Sequence, residues 1–393
     1  MVVTLSYDGE DDVMLEKNHY IQKSLLNNFA TRDENGIYRI CVLNLYEFSA
    51  TFKSTAKAFY EKNLYDVASD DDKELEKKFN DLVEKPMNEL RMRLMAADGQ
   101  VTVTRRELNA IKKYLLLQIY RTPGNRISYT NPKQNSFELS QYNIREDESK
   151  EDFWKREMLT IIDSDWEELG NTDMVGIKKN YKRIHEDSFL LLVRTKQEFC
   201  INDRGFVTER LPITIPEEMR DEYIQAAKEF GKQEYGVDNF DEMARKEIEN
   251  GTSYVENFMM FPISSELAIL LVSTVWRDCY LNLLPPPFPS NILLRHMSYP
   301  THDYVNKDKI FTDADILRYK TPDDKYTYVI HTLSEGETEW ANHLMMNEAE
   351  RYLALKTPSM FLKTIRNYNA KKYHVQNVKK DYGGFVALLS KLC

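Results

Sequence analysis

Apolar side chains in the first 50 residues follow first a helical pattern and then a strand pattern. Ile21, Leu25 and Phe29 lie four residues apart, which places them on one face of a helix. Residues 36–48 are rich in β-branched and aromatic side chains, which is typical of a strand. The pattern therefore predicts a short amphipathic helix followed by a strand.

Longer helical patterns fill most of the sequence from residue 70 to residue 122. Three aspartates at positions 70–72 are predicted to cap a long helix, and Pro86 is expected to kink or divide it. Residues 104–107 (Thr-Arg-Arg-Glu) have the form of a capping box and open another helix, which ends before Pro123. These patterns predict a mainly helical amino-terminal half.

Strand patterns become frequent in the second half of the chain. Residues 189–194 and 199–202 are predicted to form two strands joined by a tight turn, and residues 326–333 a further strand. Residues 216–251 indicate two charged helices, and residues 337–356 indicate an amphipathic helix. The expected fold class is α+β, with a mainly helical amino-terminal half and a mixed sheet built largely from the carboxy-terminal half.

The length of 393 residues is compatible with one large domain or two. We expect a single compact domain over residues 1–393, divisible into a helical part, residues 1–130, and a mixed part, residues 185–393. The polar segments 131–147 and 206–250 are expected to be insertions.

Charge and cysteine spacing exclude several classes of protein. The formal net charge of −10 opposes whole-protein attraction to nucleic acid, although a local basic strip could still hold phosphate. The four cysteines are too widely spaced for a zinc knuckle or a redox motif. The acidic amino terminus does not have the form of a signal peptide, and the longest apolar run, residues 267–276, is too short to span a bilayer. We expect a cytoplasmic protein without a membrane partner.

Named catalytic motifs are absent from the sequence. It contains no glycine-rich phosphate loop, no dinucleotide-binding glycine fingerprint, no His-Glu-x-x-His zinc helix and no Gly-x-Ser-x-Gly nucleophile elbow. These absences count against nucleotide-driven motors, Rossmann oxidoreductases and the common hydrolases.

Three segments carry candidate functional side chains. His19 is predicted at a helix start, where the helix dipole favours a neutral imidazole able to act as base or ligand; the alternative is a histidine bonded to the backbone. Arg121 and Arg126 bracket a tight turn and could clamp a phosphate or carboxylate, or pair with the protein's own carboxylates. Asp203 follows a strand, where it could serve a site or stabilise a turn.

Other polar clusters are weaker candidates. His296, His302 and Asp303 share an irregular stretch whose spacing fits no familiar metal site, so no metal ligands are assigned. Charged residues on the helix around residue 90 are predicted to form ordinary solvated ion pairs. These residues are Glu84, Glu89, Arg91 and Arg93.

Short motifs recur in a recognisable order along the chain. They are His19-Tyr20-Ile21, Arg121-Thr122-Pro123 with Arg126 beyond it, and Phe261-Pro262-Ile263-Ser264. In this order they resemble the domain-of-unknown-function family 4238, over roughly residues 17–355. Asn202-Asp203 at the end of the predicted hairpin, and Arg351-Tyr352 on the predicted late helix, also fit the family pattern.

Two positions depart from that family pattern. Gln22 stands where the family has a proline, and Arg204-Gly205 stands where it has Asn-Pro. The family has no assigned reaction. The resemblance implies a bacterial accessory protein, with some relatives resembling effectors of antiphage defence.

These observations lead to one functional hypothesis. We expect a polar cleft in which His19, Arg121, Arg126 and Asp203 converge for nuclease-like chemistry on phosphodiesters. The arginines would hold phosphate, while Asp203 would orient His19 or coordinate Mg²⁺ or Mn²⁺. Substrate would be RNA, single-stranded nucleic acid or a nucleotide, and the candidate substrate-binding residues are Tyr20, Asn202 and Ser264. The protein would then be an antiphage-defence or toxin-type effector.

The alternative is a non-catalytic interaction protein that senses or inhibits a phage or host protein. On this interpretation, the same polar residues form a buried network that fixes the fold. The charged helices of residues 216–251 would then be the docking surface for the protein partner.

Overall fold

The strands fall into two sheets and one two-stranded ladder in the part of the chain that the structure describes. The structure is a computed structural model, and it describes residues 17–62, 64–65, 72–130, 144–235, 245, 248–274, 298–370 and 380–393. Its strands are β1 (Lys17–His19), β2 (Thr31–Arg32), β3 (Tyr38–Asn44), β4 (Ser49–Ser54), β5 (Tyr60–Lys62), β6 (Gln100–Thr104), β7 (Ser188–Thr195), β8 (Ile201–Asn202), β9 (Val207–Thr214), β10 (Thr252–Pro262), β11 (Leu267–Ser273), β12 (Thr301–Asp303), β13 (Lys325–Leu333) and β14 (Tyr352–Leu355).

Helices pack around both sheets. They are α1 (Lys23–Leu26), α2 (Asp72–Lys78), α3 (Lys85–Ala96), α4 (Arg105–Tyr120), α5 (Pro123–Thr130), α6 (Lys150–Asp163), α7 (Trp166–Leu169), α8 (Val175–His185), α9 (Arg220–Tyr235), α10 (Asp313–Tyr319), α11 (Glu335–Glu348), α12 (Pro358–Asn369) and α13 (Phe385–Ser390). With this mixture of helices and sheets, the α+β class is confirmed.

The larger sheet has seven strands in the order β12-β13-β7-β11-β10-β9, with β6 also paired to β13. It is mixed, because β13 and β7 run parallel while the other pairs are antiparallel. The segment predicted as an insertion from residue 206 begins with β9, which pairs with β10 and so belongs to this sheet. Residues 131–143 of the other predicted insertion lie outside the described residues.

The smaller sheet has five strands centred on β3. β3 pairs with β4 along one side and with β2 and β14 along the other. β14 pairs in turn with β8. Because β1 to β6 all lie within the first 104 residues, the prediction of a mainly helical amino-terminal half is not confirmed. Among the described residues β4 has β3 as its single strand partner, so it is an edge strand.

The predicted hairpin of residues 189–202 is wrong. β7 lies inside the seven-stranded sheet, whereas β8 pairs with β14 in the smaller sheet. The intervening backbone is held by other elements: Phe199 N donates to Ser265 O at 2.7 Å, and Cys200 N donates to Asn342 Oδ1 at 2.9 Å. Apolar pattern alone identifies a strand without identifying its neighbour.

Predictions made from residues at helix ends agree better with the structure. Thr104 and Glu107 form the predicted capping box at the start of α4, and Ser149 caps α6. Pro86 lies in the first turn of α3, and a π-helical turn, Phe79–Glu84, separates α3 from α2. The late helix is shorter than predicted, because α11 ends at Glu348 and β14 follows.

A buried carboxyl in α6 makes the stability of the fold depend on pH. Glu157 is fully buried and accepts a hydrogen bond from the Tyr129 hydroxyl at 2.5 Å. Burial raises the pKa of Glu157 from its ordinary 4.5 to about 8, against the opposing effect of the Tyr129 bond. The folded chain therefore retains a proton that the unfolded chain loses above pH 4.5. The stabilisation is complete below that pH and is lost as pH rises through 8.

We therefore expect Glu157→Gln to remove part of the pH dependence of unfolding. Between pH 5 and pH 8 the free energy of unfolding of the unmodified protein should fall by about 1 kcal/mol per pH unit more than that of the variant. Urea denaturation across this range measures the difference. Glu34→Gln, at an exposed glutamate, is the control and should leave the slope unchanged. Equal slopes for all three proteins would contradict the assignment.

Candidate functional site

Gln118, on α4, joins the opening segment to the turn that follows Asp203. Its Nε2 donates to Tyr20 O at 3.2 Å and to Arg204 O at 3.1 Å, from a buried position on α4. Residues more than 80 positions apart are therefore held together by one side chain. Gln118 was not predicted as a site residue, although its segment, Leu115-Leu116-Leu117-Gln118, fits the family pattern; a polar residue on the buried face of a helix was the missed signal.

Arg121 lies one helical turn beyond Gln118 and is fully enclosed. Its Nη1 donates to Glu84 Oε1 at 2.6 Å, its Nη2 donates to the carbonyl of His19, and its guanidinium lies 4.8 Å from the centre of the Phe79 ring. Burial acts to lower the pKa of Arg121, but Tyr65 and Glu84 outweigh it and raise that pKa. Arg121 therefore holds Glu84 and the opening segment together as a charged group inside the protein.

His19 does not lie at a helix start, as the sequence predicted. It ends β1, where its backbone pairs with Tyr60 of β5, and α1 begins only at Lys23. The imidazole meets the Tyr60 ring edge-on, with 5.9 Å between ring centres. Burial and the neighbouring Arg121 lower the pKa of His19, so the ring is neutral at pH 7 without any contribution from a helix dipole.

The side chains of Asp203 and Asn202 form hydrogen bonds with backbone groups of neighbouring segments. The Asp203 carboxylate accepts the N–H groups of Glu350, Arg351 and Tyr352 at 2.8, 2.5 and 2.9 Å. Burial raises the pKa of Asp203, against these three hydrogen bonds. Asn202 donates to Met345 O at 3.2 Å and accepts the N–H groups of the turn that follows it. These contacts end α11 and align β14, which explains why the predicted late helix stops early and why Arg351 and Tyr352 lie beyond it.

The remaining predicted residues are placed as follows. Tyr20 is buried beside Phe59, and burial raises its pKa well above the ordinary value, with nearby Asp203 adding to the shift. Ser264 is also buried, and its Oγ accepts two N–H groups of the turn between β10 and β11. Arg126 lies at the surface side of α5 and pairs with Glu151 at 2.6 Å. The structure thus brings together His19, Tyr20, Arg121, Asn202 and Asp203, and it places Arg126 and Ser264 in contacts of their own.

A second buried guanidinium lies near Arg121. Arg91 was predicted to form a solvated ion pair, and this is wrong, because it is 1% exposed on α3 and bonds to neutral oxygens of Gln22, Ser24 and Asn88. Among the described residues, three amide atoms of this region and its neighbours are buried without a hydrogen-bond partner: Gln22 Nε2, of the residue that bonds Arg91, together with Asn18 Oδ1 and Gln118 Oε1. Such atoms are rare in folded proteins and indicate enclosed water or another polar group. No sequence pattern indicated these buried polar side chains.

A basic groove opens beside His19, at the edge of the smaller sheet. It has a volume of about 580 Å³ and is lined by Ile37, Arg39, Phe52, Lys53, Ser54, Lys57 and Tyr60. Arg39 pairs with Asp33 at 2.6 Å, whereas Lys53 and Lys57 have no carboxylate partner among the described residues. The imidazole of His19 contacts both Tyr60 and the backbone of Ala58, so it lies directly beside the groove wall.

Aromatic rings with basic neighbours continue away from this groove. The Lys53 ammonium lies 5.8 Å from the centre of the Tyr352 ring, and Arg351 lies 4.9 Å from the same ring and 5.8 Å from that of Tyr46. Tyr46 is 74% exposed. A sequence signal for this surface existed and was missed: residues 49–60 contain two lysines and no acidic residue, in a chain with 63 acidic residues.

Metal ligands do not gather anywhere in the described ranges. Within them no three His, Cys, Asp or Glu side chains form a set that could hold an ion. His302 Nδ1 is hydrogen-bonded to the Tyr304 hydroxyl at 2.8 Å, and the Asp303 carboxylate lies 4.0 Å from the Lys307 ammonium. His296 lies outside the described residues. The predicted use of Mg²⁺ or Mn²⁺ thus has no ligand set in this part of the chain.

Comparisons with known proteins agree with the motif resemblance. The chain matches the family described as "Protein of unknown function (DUF4238)" over residues 17–359. No curated protein and no solved structure matches it. Within the described residues, no helix has both the length and the apolar character that crossing a membrane requires.

Proposed function

We propose that this chain, which belongs to the DUF4238 family, is a nuclease-like effector that binds single-stranded nucleic acid in the basic groove. The observation that carries the proposal is the composition of the groove. Three cations and two aromatic rings line one concavity, and no carboxylate lines it among the described residues. The setting in bacterial antiphage defence belongs to the same proposal and is drawn from the family resemblance.

The charge of the groove favours a polyanion. Within the part of the chain that the structure describes, Lys53 and Lys57 have no acidic partner, so their positive charge is concentrated locally in a protein whose net charge is −10. Nucleic-acid affinity depends on such local phosphate contacts, each of which releases a bound counterion. The overall negative charge opposes binding elsewhere on the protein and would confine the strand to this groove.

The aromatic rings favour single strands over duplexes. Unpaired bases stack on exposed rings, and neighbouring cations hold the phosphates between them. Phe52 and Tyr60 line the groove. Beyond it, the Tyr352 ring lies next to Lys53, and the Tyr46 ring lies next to Arg351. Duplex bases are already stacked on one another, so a duplex would gain the charge contacts without the stacking.

His19 supports the cleavage part of the proposal. Its imidazole is neutral near pH 7, which suits a general base, and it contacts Tyr60 in the groove wall. The predicted roles of Asp203 and Arg126 as direct chemical groups receive no such support, because backbone N–H groups surround the first and Glu151 pairs with the second.

A non-catalytic interaction protein is the second candidate. The observation that favours it is the engagement of Arg121, Asn202 and Asp203 in contacts that hold distant segments together. On this interpretation the groove binds its ligand without changing it, and His19 has a structural role.

Charge reversal in the groove tests the binding proposal. We expect Lys53→Glu/Lys57→Glu to weaken binding of a fluorescent single-stranded RNA by about 100-fold or more. The slope of log K against log salt concentration should fall by about 1.4, because two phosphate contacts are lost. Fluorescence anisotropy at several salt concentrations measures both.

The control is Lys307→Glu/Lys309→Glu, which makes the same change in net charge at two exposed lysines away from the groove. It should retain nearly full affinity. Equal weakening in both variants, or no RNA binding by the unmodified protein, would overturn the proposal.

Cleavage is tested separately with His19→Gln. RNA turnover by the unmodified protein should be lost in this variant, while its RNA affinity and melting temperature stay unchanged. The assay is run with Mg²⁺, with Mn²⁺ and with a chelator. Binding without turnover under all three conditions would remove the nuclease-like part and favour the interaction protein.

A further inference from the structure

We infer that a second cleft, built on the outer face of α4, binds a small molecule that carries a phosphate group. This cleft has a volume of about 540 Å³. Arg105, Arg106, Asn109 and Lys113 line it from α4, at spacings that bring them to one helical face. Its other walls come from the start of α7 and from residues 320–322. Clefts of this volume suit ligands of nucleotide size.

Cations outnumber carboxylates in the lining of this α4 cleft. Four lining residues are cationic: Arg105, Arg106, Lys113 and Lys320. Two are acidic: Asp165 and Glu167. Arg105 and Arg106 also pair with Asp324 and Asp323 just outside the lining, so the cations held only by exposed carboxylates, and open to an anionic ligand, are Arg106 and Lys320.

The position of the two arginines strengthens this reasoning. Arg105 and Arg106 occupy the first turn of α4, where the helix dipole disfavours cations. Arg105 is held there at 3.1 Å by the carboxylate of Asp324, which is fully buried. Arg106 is 73% exposed and only 3.5 Å from the equally exposed Asp323, a pair that contributes little and leaves its guanidinium available.

The available groups face the cleft from two sides. Lys320 lines the cleft from the segment 320–322, and its ammonium is 3.4 Å from Glu167. Lys113 lines the cleft from α4, and its Nζ donates to two carbonyls at the end of α6 at 2.7 and 2.8 Å. An ammonium has three hydrogens, so Lys113 retains one for a ligand. A phosphate between Arg106 and Lys320 would therefore replace weak surface pairs with charge-assisted bonds.

A pair of buried bases lies behind the same wall. Lys112 Nζ is 2.8 Å from His185 Nδ1, and because an ammonium can only donate, the imidazole accepts at that nitrogen. Burial lowers the pKa of Lys112 to about 8 and that of His185 to about 3. The charged groups that act on this pair are Glu167, Arg105 and Lys320, and all three line the cleft. A bound dianion would favour the protonated form of Lys112, and binding near pH 8 would then take up a proton.

The α4 cleft suits a small ligand better than a polynucleotide. Asp165 and Glu167 lie on one wall and would repel a chain of phosphates. None of its lining residues belongs to the groove formed by β3 and β4. This inference therefore goes beyond the proposed function and does not depend on it.

Calorimetric titration with inorganic phosphate and with adenosine 5′-monophosphate tests the inference. We expect the unmodified protein to bind at least one of them, and Arg106→Gln/Lys320→Gln to bind it at least about tenfold more weakly. Lys363→Gln/Lys391→Gln, which removes two charges at exposed lysines of α12 and the end of α13, should bind as the unmodified protein does.

Two further measurements make the result decisive. Titrations at pH 8 in buffers of different ionisation enthalpy should show proton uptake that Lys112→Met abolishes. RNA affinity of the Arg106→Gln/Lys320→Gln variant should be unchanged, so failure of the groove proposal and failure of this one are distinguishable. Absence of binding at millimolar concentrations of both probes, or equal weakening in the control, would overturn the inference.

Discussion

Replacing Asp203 with alanine is expected to lower the free energy of unfolding by about 3–5 kcal/mol. Three backbone N–H groups, those of Glu350, Arg351 and Tyr352, would lose their acceptor at a buried position. Each unsatisfied buried donor costs about 1–3 kcal/mol, and their close spacing lets one water compensate only part of the loss. Urea denaturation followed by circular dichroism measures the change.

The matched control is Asp303→Ala. This carboxylate is 68% exposed and lies 4.0 Å from Lys307, so its removal should change stability by less than about 0.5 kcal/mol. If Asp203→Ala were as stable as this control while RNA turnover disappeared, the carboxylate would belong to the chemistry and not to the fold.

Short-range features of the fold could be predicted from the sequence because their physical causes are local. A capping box needs only residues 104–107, and a proline divides a helix through its own ring and missing N–H. The β3 and β13 strands were predicted from side chains within one segment, and both are present.

Features that depend on distant residues could not be predicted in this way. The end of α11 is set by Asp203, which lies 145 positions before Glu348. The separation of β7 from β8 depends on Asn342 and on the turn that contains Ser265. The spacing of apolar residues does not identify such distant partners. The predicted hairpin and the predicted long late helix are therefore both wrong.

The candidate site divides along the same line. Motif residues such as His19 and Arg121 were found because their types and order are visible in the sequence. Their surroundings could not be predicted: His19 lies on a strand, and the buried guanidinium of Arg121 packs against the Phe79 ring. The groove residues Lys53 and Lys57 are lysines outside any motif. They became candidates for ligand binding only because the fold places them in one groove with Tyr60.

Arg121→Met should destabilise the protein by about 3–5 kcal/mol, and Arg126→Met by about 1 kcal/mol or less. The two arginines were predicted to act together, but their surroundings differ. Arg121 is 2% exposed and its partner Glu84 16%, so the first variant leaves a poorly solvated carboxylate without its cation. Arg126 and Glu151 are 30% and 23% exposed, and water can replace either partner.

A second variant distinguishes the lost ion pair from lost packing. In Arg121→Met/Glu84→Gln both charges are absent, so much of the stability lost in Arg121→Met should return, as measured by urea denaturation. No recovery would mean that the contacts of Arg121 with His19 and Phe79 dominate instead. Similar small losses for Arg121→Met and Arg126→Met would contradict the structural role of Arg121. They would make the original pairing of two phosphate-binding arginines the better explanation, because a side chain kept for its ligand contributes little to the stability of the unliganded fold.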